Sequence, residues 1–220
     1  MNKSLVVLMG LMMMLLASCS PDAIIDTPVS QQQTFTPSVI DEPIVTPSAT
    51  PETTEALTLK ETAQEVIKAL ADKNFETLAE FVHPEMGVRF SPYTYVEEHH
   101  LVFLPDELPG VIGSDQVLLW GYFDGTGDPI ELTFNGYYER FLYSADFANP
   151  EAMAVNEELV YSSMINNIAD FYPGSSFVEY HFSGFEEDYG GMDWVSLRLV
   201  FIQEDGVWFL VGMVNDQWTI

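Results

Sequence analysis

The chain has 220 residues, with 34 acidic side chains against seven basic ones and a formal net charge of −27. That charge repels phosphate backbones and excludes nucleic acid as a partner, while a single cysteine excludes a disulfide-stapled secreted domain. Past the first twenty residues no apolar run is long enough for a membrane span, so the bulk of the chain is read as one acidic globular domain.

The opening MNKSLVVLMGLMMMLLASCS reads as an export signal. Lys3 supplies the positive start, and Leu5 to Leu16 form an uncharged core shorter than the roughly 20 residues that a spanning helix needs. Leucine, two small residues and cysteine then follow as Leu16-Ala17-Ser18-Cys19. This resembles the lipobox of bacterial lipoproteins, which implies cleavage before Cys19 and acylation of its thiol and new amino terminus. One acyl chain binds a membrane marginally, whereas two or more anchor it stably. The resemblance therefore implies a lipid bilayer as partner and an extracytoplasmic location on a bacterial cell membrane or outer membrane. Ser20, following the cysteine, permits the outer membrane. With six basic residues left against 34 acidic ones, the acyl group and not a basic patch must hold the chain to anionic lipid.

Residues 20–56 carry six of the 13 prolines, many Thr and Ser, and no Lys or Arg. Aperiodic proline among polar neighbours predicts an extended tether, about 35 Å in span as a flexible coil. The expected organisation is a signal peptide over 1–18, lipidated Cys19 and tether over 19–56, and a single α+β domain over 57–220.

In that domain Thr58-Leu59-Lys60-Glu61 matches a capping box. Ala63, Val66, Ile67, Leu70 and Ala71 recur at helical spacing, predicting an amphipathic helix to about Asp72. Asn74 is placed to cap a second helix with Phe75, Leu78, Ala79 and Val82 inward, ended by Pro84. Short strands are expected at 88–90 and 93–96, and a firmer one at 117–123 closed by the turn DGTGDP. Thr133 opens a helix with Phe134, Tyr137, Tyr138, Phe141 and Leu142 on one face. Residues 144–158 read as loop and 164–171 as a short helix. Strands at 177–182, 194–203 and 207–214 complete the chain, the last two joined through Glu204-Asp205-Gly206 and apolar enough on both faces to lie centrally.

Helices followed by strands and a closing hairpin is an α+β order. The stretch ADKNFETLAEFVHPE and the closing SLRLVFIQEDGVWFLVGMVNDQWTI resemble the nuclear-transport-factor-2-like (cystatin-like) superfamily. That resemblance implies N-terminal helices packed on a curved, mainly antiparallel sheet, a cone-shaped roll with a pocket. FVHPEMGVRFSPY, FVEYHFSGF and GGMDW also resemble a group of bacterial lipoproteins, a likeness that implies fold and anchor but no activity. Residues 97–116 depart from the minimal fold and look like an insertion.

Strand alternation puts Glu179, His181 and Ser183 on one face, with Trp194, Ser196 and Arg198 on one face of the neighbouring strand. Carboxylate, imidazole and guanidinium together can line a pocket, bind an anion or move a proton. Equally, Arg198 and Glu179 can form a cross-strand ion pair stabilising the sheet by about 1 kcal/mol or less. His83 is either a base or ligand at a pocket mouth or a polar helix terminus, where imidazole favours the negative end of the dipole. Glu97-Glu98-His99-His100 has metal-type side chains but the wrong spacing for a strand or helix, so a solvated loop and no metal are expected. Asp124-Gly125-Thr126-Gly127-Asp128 lacks the third acidic ligand of a calcium loop and fits a hairpin turn, and the acidic loop Glu186-Glu187-Asp188 with Asp193 reads the same way.

No nucleophile elbow, P-loop or dinucleotide fingerprint occurs, and no cofactor is expected. A binding or accessory head holding a small ligand or an envelope protein fits best. The alternatives are a pocket hydrolase or isomerase, with His181 or His83 as base and Arg198 as stabiliser, and a structural interaction protein.

Overall fold

The computed structural model describes residues 56–160 and 163–219. The expected signal, Cys19 and the tether to residue 55 lie outside them.

Helix α1 (Leu59–Ala71) begins where the capping box predicts. Thr58 Oγ1 accepts from the Glu61 amide, and Glu61 Oε2 accepts from the Thr58 amide at 2.8 Å. Ala63, Val66, Ile67 and Leu70 form its buried stripe. Helix α2 (Phe75–Ala79) is capped by the Asn74 side chain on the Thr77 amide, 3.1 Å away. It stops earlier than expected, because Phe81 and His83 already bond to the backbone of Leu210 in strand fashion. Sheet pairing, not Pro84, therefore ends it.

The chain then runs through β1 (Val88–Ser91), β2 (Val102–Phe103) and α3 (Leu108–Val111), the last two inside the expected insertion. The hairpin β3 (Leu118–Tyr122) and β4 (Pro129–Leu132) follows, then α4 (Phe134–Tyr137), which continues into a π-helical turn over Tyr138–Leu142. The remaining elements are β5 (Ala152–Val155), α5 (Ile168–Phe171), β6 (Ser176–Phe182), β7 (Val195–Glu204) and β8 (Val207–Gln217). A six-stranded sheet has the order β2-β1-β8-β7-β6-β5, antiparallel except for β1 against β8, and β3-β4 form a separate sheet of two. This is the expected α+β architecture, with β7 and β8 central.

Three expectations are corrected. Residues 93–95 are bends and Val96 is irregular, so no strand forms there; the Asn167 side chain bonds both the amide and the carbonyl of Val96, doing the work of a neighbouring strand. Residues 144–158 contain β5, whose small AMAV sequence carries little pattern and is held by its ladder to β6. The helix expected over 164–171 is confined to α5. The pairing of β7 with β8 also shifts by one between Val200 and Phe201, a bulge that leaves Val211 as the extra residue.

Helices α1, α2 and α4 cover one sheet face. The space between is filled by rings and aliphatic chains, among them Phe90, Trp120, Phe134, Tyr137, Phe141 and Leu199, each 0–1% exposed. Trp120 stacks on Tyr137 with centroids 3.9 Å apart, and its Nε1 donates to the Leu132 carbonyl. A smaller cluster of Val96, Ile168, Tyr172, Val200, Val211 and Val214 covers part of the other face.

Candidate functional site

The face opposite the helices holds the polar residues picked out by alternation. β6 and β7 pair with Glu179 opposite Arg198 and His181 opposite Ser196. Arg198 is fully buried; its Nε and Nη2 donate to Glu179 Oε2 and Oε1 at 3.0 and 3.3 Å. Its Nη1 donates to Thr94 Oγ1 at 3.3 Å and lies 3.0 Å from Asp216 Oδ2. That last contact is an ion pair off the N–H direction, since Oδ2 has no aligned donor among the described residues. The Leu159 amide completes the shell on Glu179 Oε2. One guanidinium thus serves two buried carboxylates. Burial pushes the Asp216 carboxyl above its ordinary value, opposed by the Arg198 charge.

Asp216 was not among the residues picked from the sequence: the strand expected over 207–214 stops short of it, and a bulge decides which face it takes. Counted back from the turn without it, Ser196 would face Asn215, and Asp216 would fall on the helix-covered face beside Val195. The extra residue Val211 flips the register, so that Ser196 pairs with Asp216 and the carboxylate joins Arg198.

His181 is buried, with Nδ1 2.8 Å from Ser196 Oγ. Burial pulls its pKa down, with Glu179 and Glu151 pulling the other way. His83 stands apart at the far end of β7. Its Nδ1 accepts from the amides of Glu85 and Met86 at 3.2 and 3.1 Å, which places the proton on Nε2, 3.2 Å from Glu204 Oε1. This imidazole closes a turn, past the helix end where it was expected. The structure therefore joins Glu179, His181 and Arg198, leaves His83 elsewhere, and brings Trp194 only to the margin, its ring centroid 6.2 Å from that of His181.

Trp194 instead lines a surface cleft of about 390 Å³ at the start of β7 and end of β8, together with Trp218, Arg140, Gln217, Phe185 and Met192. Phe185 and Met192 are 56% and 52% exposed and Trp218 is 40% exposed. The loop beneath is fixed by Asp193, whose Oδ2 accepts from the amides of Phe185 and Glu186 at 2.9 Å each. At Gly184 (φ +147°) an added Cβ would sit 2.8 Å from Asp193 Oδ1, so glycine is needed for that approach.

A second cleft, about 440 Å³, lies between residues 92–100 and the β3–β4 turn, lined by Tyr93, Tyr95, Glu97, His100, Tyr122 and Asp124. His100 is buried, with Nδ1 3.0 Å from Ser91 Oγ. Burial, His99 and Arg89 bring its pKa down to about 4. The Asp124–Asp128 stretch is the tight turn expected, closed by Gly127 N–H on Phe123 O at 2.8 Å.

No protein-family model matches the chain, and no curated protein matches it. Among solved structures it is similar to a calcium/calmodulin-dependent protein kinase II association domain from Xanthomonas campestris, at 14% identity and TM-score 0.28, over 69% of this chain and 79% of that one. It is also similar to a designed protein of the nuclear-transport-factor-2 type, at 11% identity and TM-score 0.26, over 72% and 99% of the two chains. A kinase II hub homology domain from Chlamydomonas reinhardtii follows at 17% identity and TM-score 0.26, over 72% and 94%. At these scores the likeness carries no argument, and the α+β class stands on the sheet order and packing described above.

Proposed function

We propose that the chain is a lipid-anchored extracytoplasmic binding module. Acylated Cys19 holds it to a bacterial membrane, residues 20–56 form the tether, and the Trp194–Trp218 cleft takes the ligand. The observation that carries the binding role is this cleft: Trp194, Trp218, Phe185 and Met192 share one concavity with the polar side chains of Arg140, Gln217, Glu139, Ser144 and Asp193, on the ends of two central strands. Exposed apolar groups clustered with a few polar ones mark a binding site more often than chance surface. Two indoles beside a guanidinium and an amide suit a small polar ligand with a flat apolar face, the chemistry of a sugar ring.

The catalytic alternative lacks a comparable observation, because Arg198 is enclosed and paired with carboxylates. Titration of the full chain with soluble oligosaccharides, followed by tryptophan fluorescence, tests the cleft. A saturable change lost in Trp218→Ala, with the fold intact by circular dichroism, is the expected result. No saturable change, or one that Trp218→Ala leaves untouched, removes the cleft from the reading. Cys19→Ser should separately abolish incorporation of a labelled fatty acid, and incorporation that persists would overturn the anchor.

A further inference from the structure

Adjacent histidines point apart on a strand, but residues 97–100 are a turn, closed by the His100 amide on the Glu97 carbonyl at 3.2 Å. A turn brings side chains at its first and last positions to one side. Here a potential ligand atom from each of Glu97, His99 and His100 lies within 4.8 Å of the other two. We propose that these three residues bind a divalent transition-metal ion, with zinc as the reference case.

The donor set is right for the class. Two neutral imidazoles and one carboxylate suit zinc and its first-row neighbours, whereas calcium and magnesium prefer all-oxygen sites. Bonds of 2.0–2.1 Å at tetrahedral angles place ligand atoms about 3.4 Å apart. His99 Nδ1 and Glu97 Oε2 are already 3.3 Å apart. The His100 ligand atom lies within 4.8 Å of both, and the exposed side chains of Glu97 and His99 are the ones that close the remaining gap.

The turn is also built, and not merely permitted. Arg89 Nη1 gathers the carbonyls of Glu97, Glu98 and His100 at 3.2, 2.7 and 2.7 Å, drawing the backbone into its curl from below. Phe171 lies against the guanidinium, 5.1 Å from ring centroid to Cζ, which holds Arg89 in place. Ser91 Oγ fixes the rotation of the His100 ring from within the sheet. Three protein ligands leave a coordination position for water or a ligand group, and Glu97 and His100 both line the 440 Å³ cleft on which that position would open. This site is separate from the Trp194–Trp218 cleft, so either can fail without the other.

The test uses the full chain carrying Cys19→Ser, so that no thiolate competes for zinc. Zinc is titrated against a chromogenic chelator with calcium in excess, which occupies the generic acidic surface. Expected is one tight equivalent, with affinity lowered about 100-fold or more in His99→Ala and in Glu97→Gln, since even outer-shell losses cost 10–100-fold. Both positions are exposed, so neither change should disturb the fold. Substitution with cobalt gives a second readout: a visible absorption band of tetrahedral strength in the parent, absent from His99→Ala. The proposal is overturned if the parent holds no stoichiometric zinc under calcium, or if His99→Ala and Glu97→Gln bind it as well as the parent does.

Discussion

On one face of the six-stranded sheet β7 contributes Leu197, Leu199 and Phe201, which ask of their neighbours only volume. On the other it contributes Ser196 and Arg198, each of which must be met by a particular atom. Both faces are closed to water, but the first spreads its stabilisation over many rings while the second concentrates it in one guanidinium and two carboxylates. An aromatic interior tolerates exchange of shape at constant volume. A buried ionic cluster tolerates loss of its shared cation least, because both carboxylates are then stranded in a medium that solvates them poorly.

The largest effect is expected from Arg198→Ala, which leaves Glu179 and Asp216 buried without their cation and should cost about 3–5 kcal/mol in urea unfolding. Exchange of Glu179, Arg198 and Asp216 together for apolar residues of matching volume should be near neutral, or stabilising by about 1–4 kcal/mol. If the triple variant is as unstable as Arg198→Ala, the face is held by something other than charge pairing. On the helix-covered face Trp120→Ala should also cost about 3–5 kcal/mol through the cavity it opens, but Leu199→Met, which keeps the volume, less than about 1.5 kcal/mol. A large loss from that conservative change would erase the contrast between the faces.

A smaller effect comes from pH. Asp216 has a raised pKa in the fold, so between the unfolded value, about 3.9, and its folded value the native state binds more protons than the unfolded chain. Its contribution is full below about pH 3.9 and is lost as pH rises through the folded value. Asp216→Asn should therefore flatten the fall in Tm over that interval and melt higher than the parent at pH 7. A lower Tm for Asp216→Asn at pH 7 would mean that the Arg198 contact outweighs the desolvation. The smallest effect is Thr58→Ala, expected to cost about 1 kcal/mol by removing the α1 cap.

Legibility followed the range over which each feature is decided. Helix α1 and the β7–β8 hairpin are written locally, in a capping box, a helical stripe and a turn, and both were readable. The pairing of Glu179 with Arg198 follows from alternation on adjacent strands and was readable as one of two alternatives. Strand β4 hides behind the turn DGTGDP, and β5 exists only because β6 offers it an edge. Asp216 was invisible because it lies beyond the strand expected over 207–214 and because a single inserted residue decides its face. The approach of Glu97, His99 and His100 was invisible for a related reason: Arg89, eight residues before the turn, sets the backbone on which those side chains converge.

The parallel pairing of β1 with β8 joins Arg89, Phe90 and Ser91 to Gly212, Met213 and Val214. Every residue from 92 to 211 must be synthesised before this seam can form, and β2 pairs with the rest of the sheet only through β1. Such distant contacts slow folding, because the intervening loop must be closed before the contacts stabilise anything. Until β8 arrives, β1 offers an unpaired edge to other chains, and the acidic surface is then its defence against association. The last strand to be made acts as the clasp of the domain.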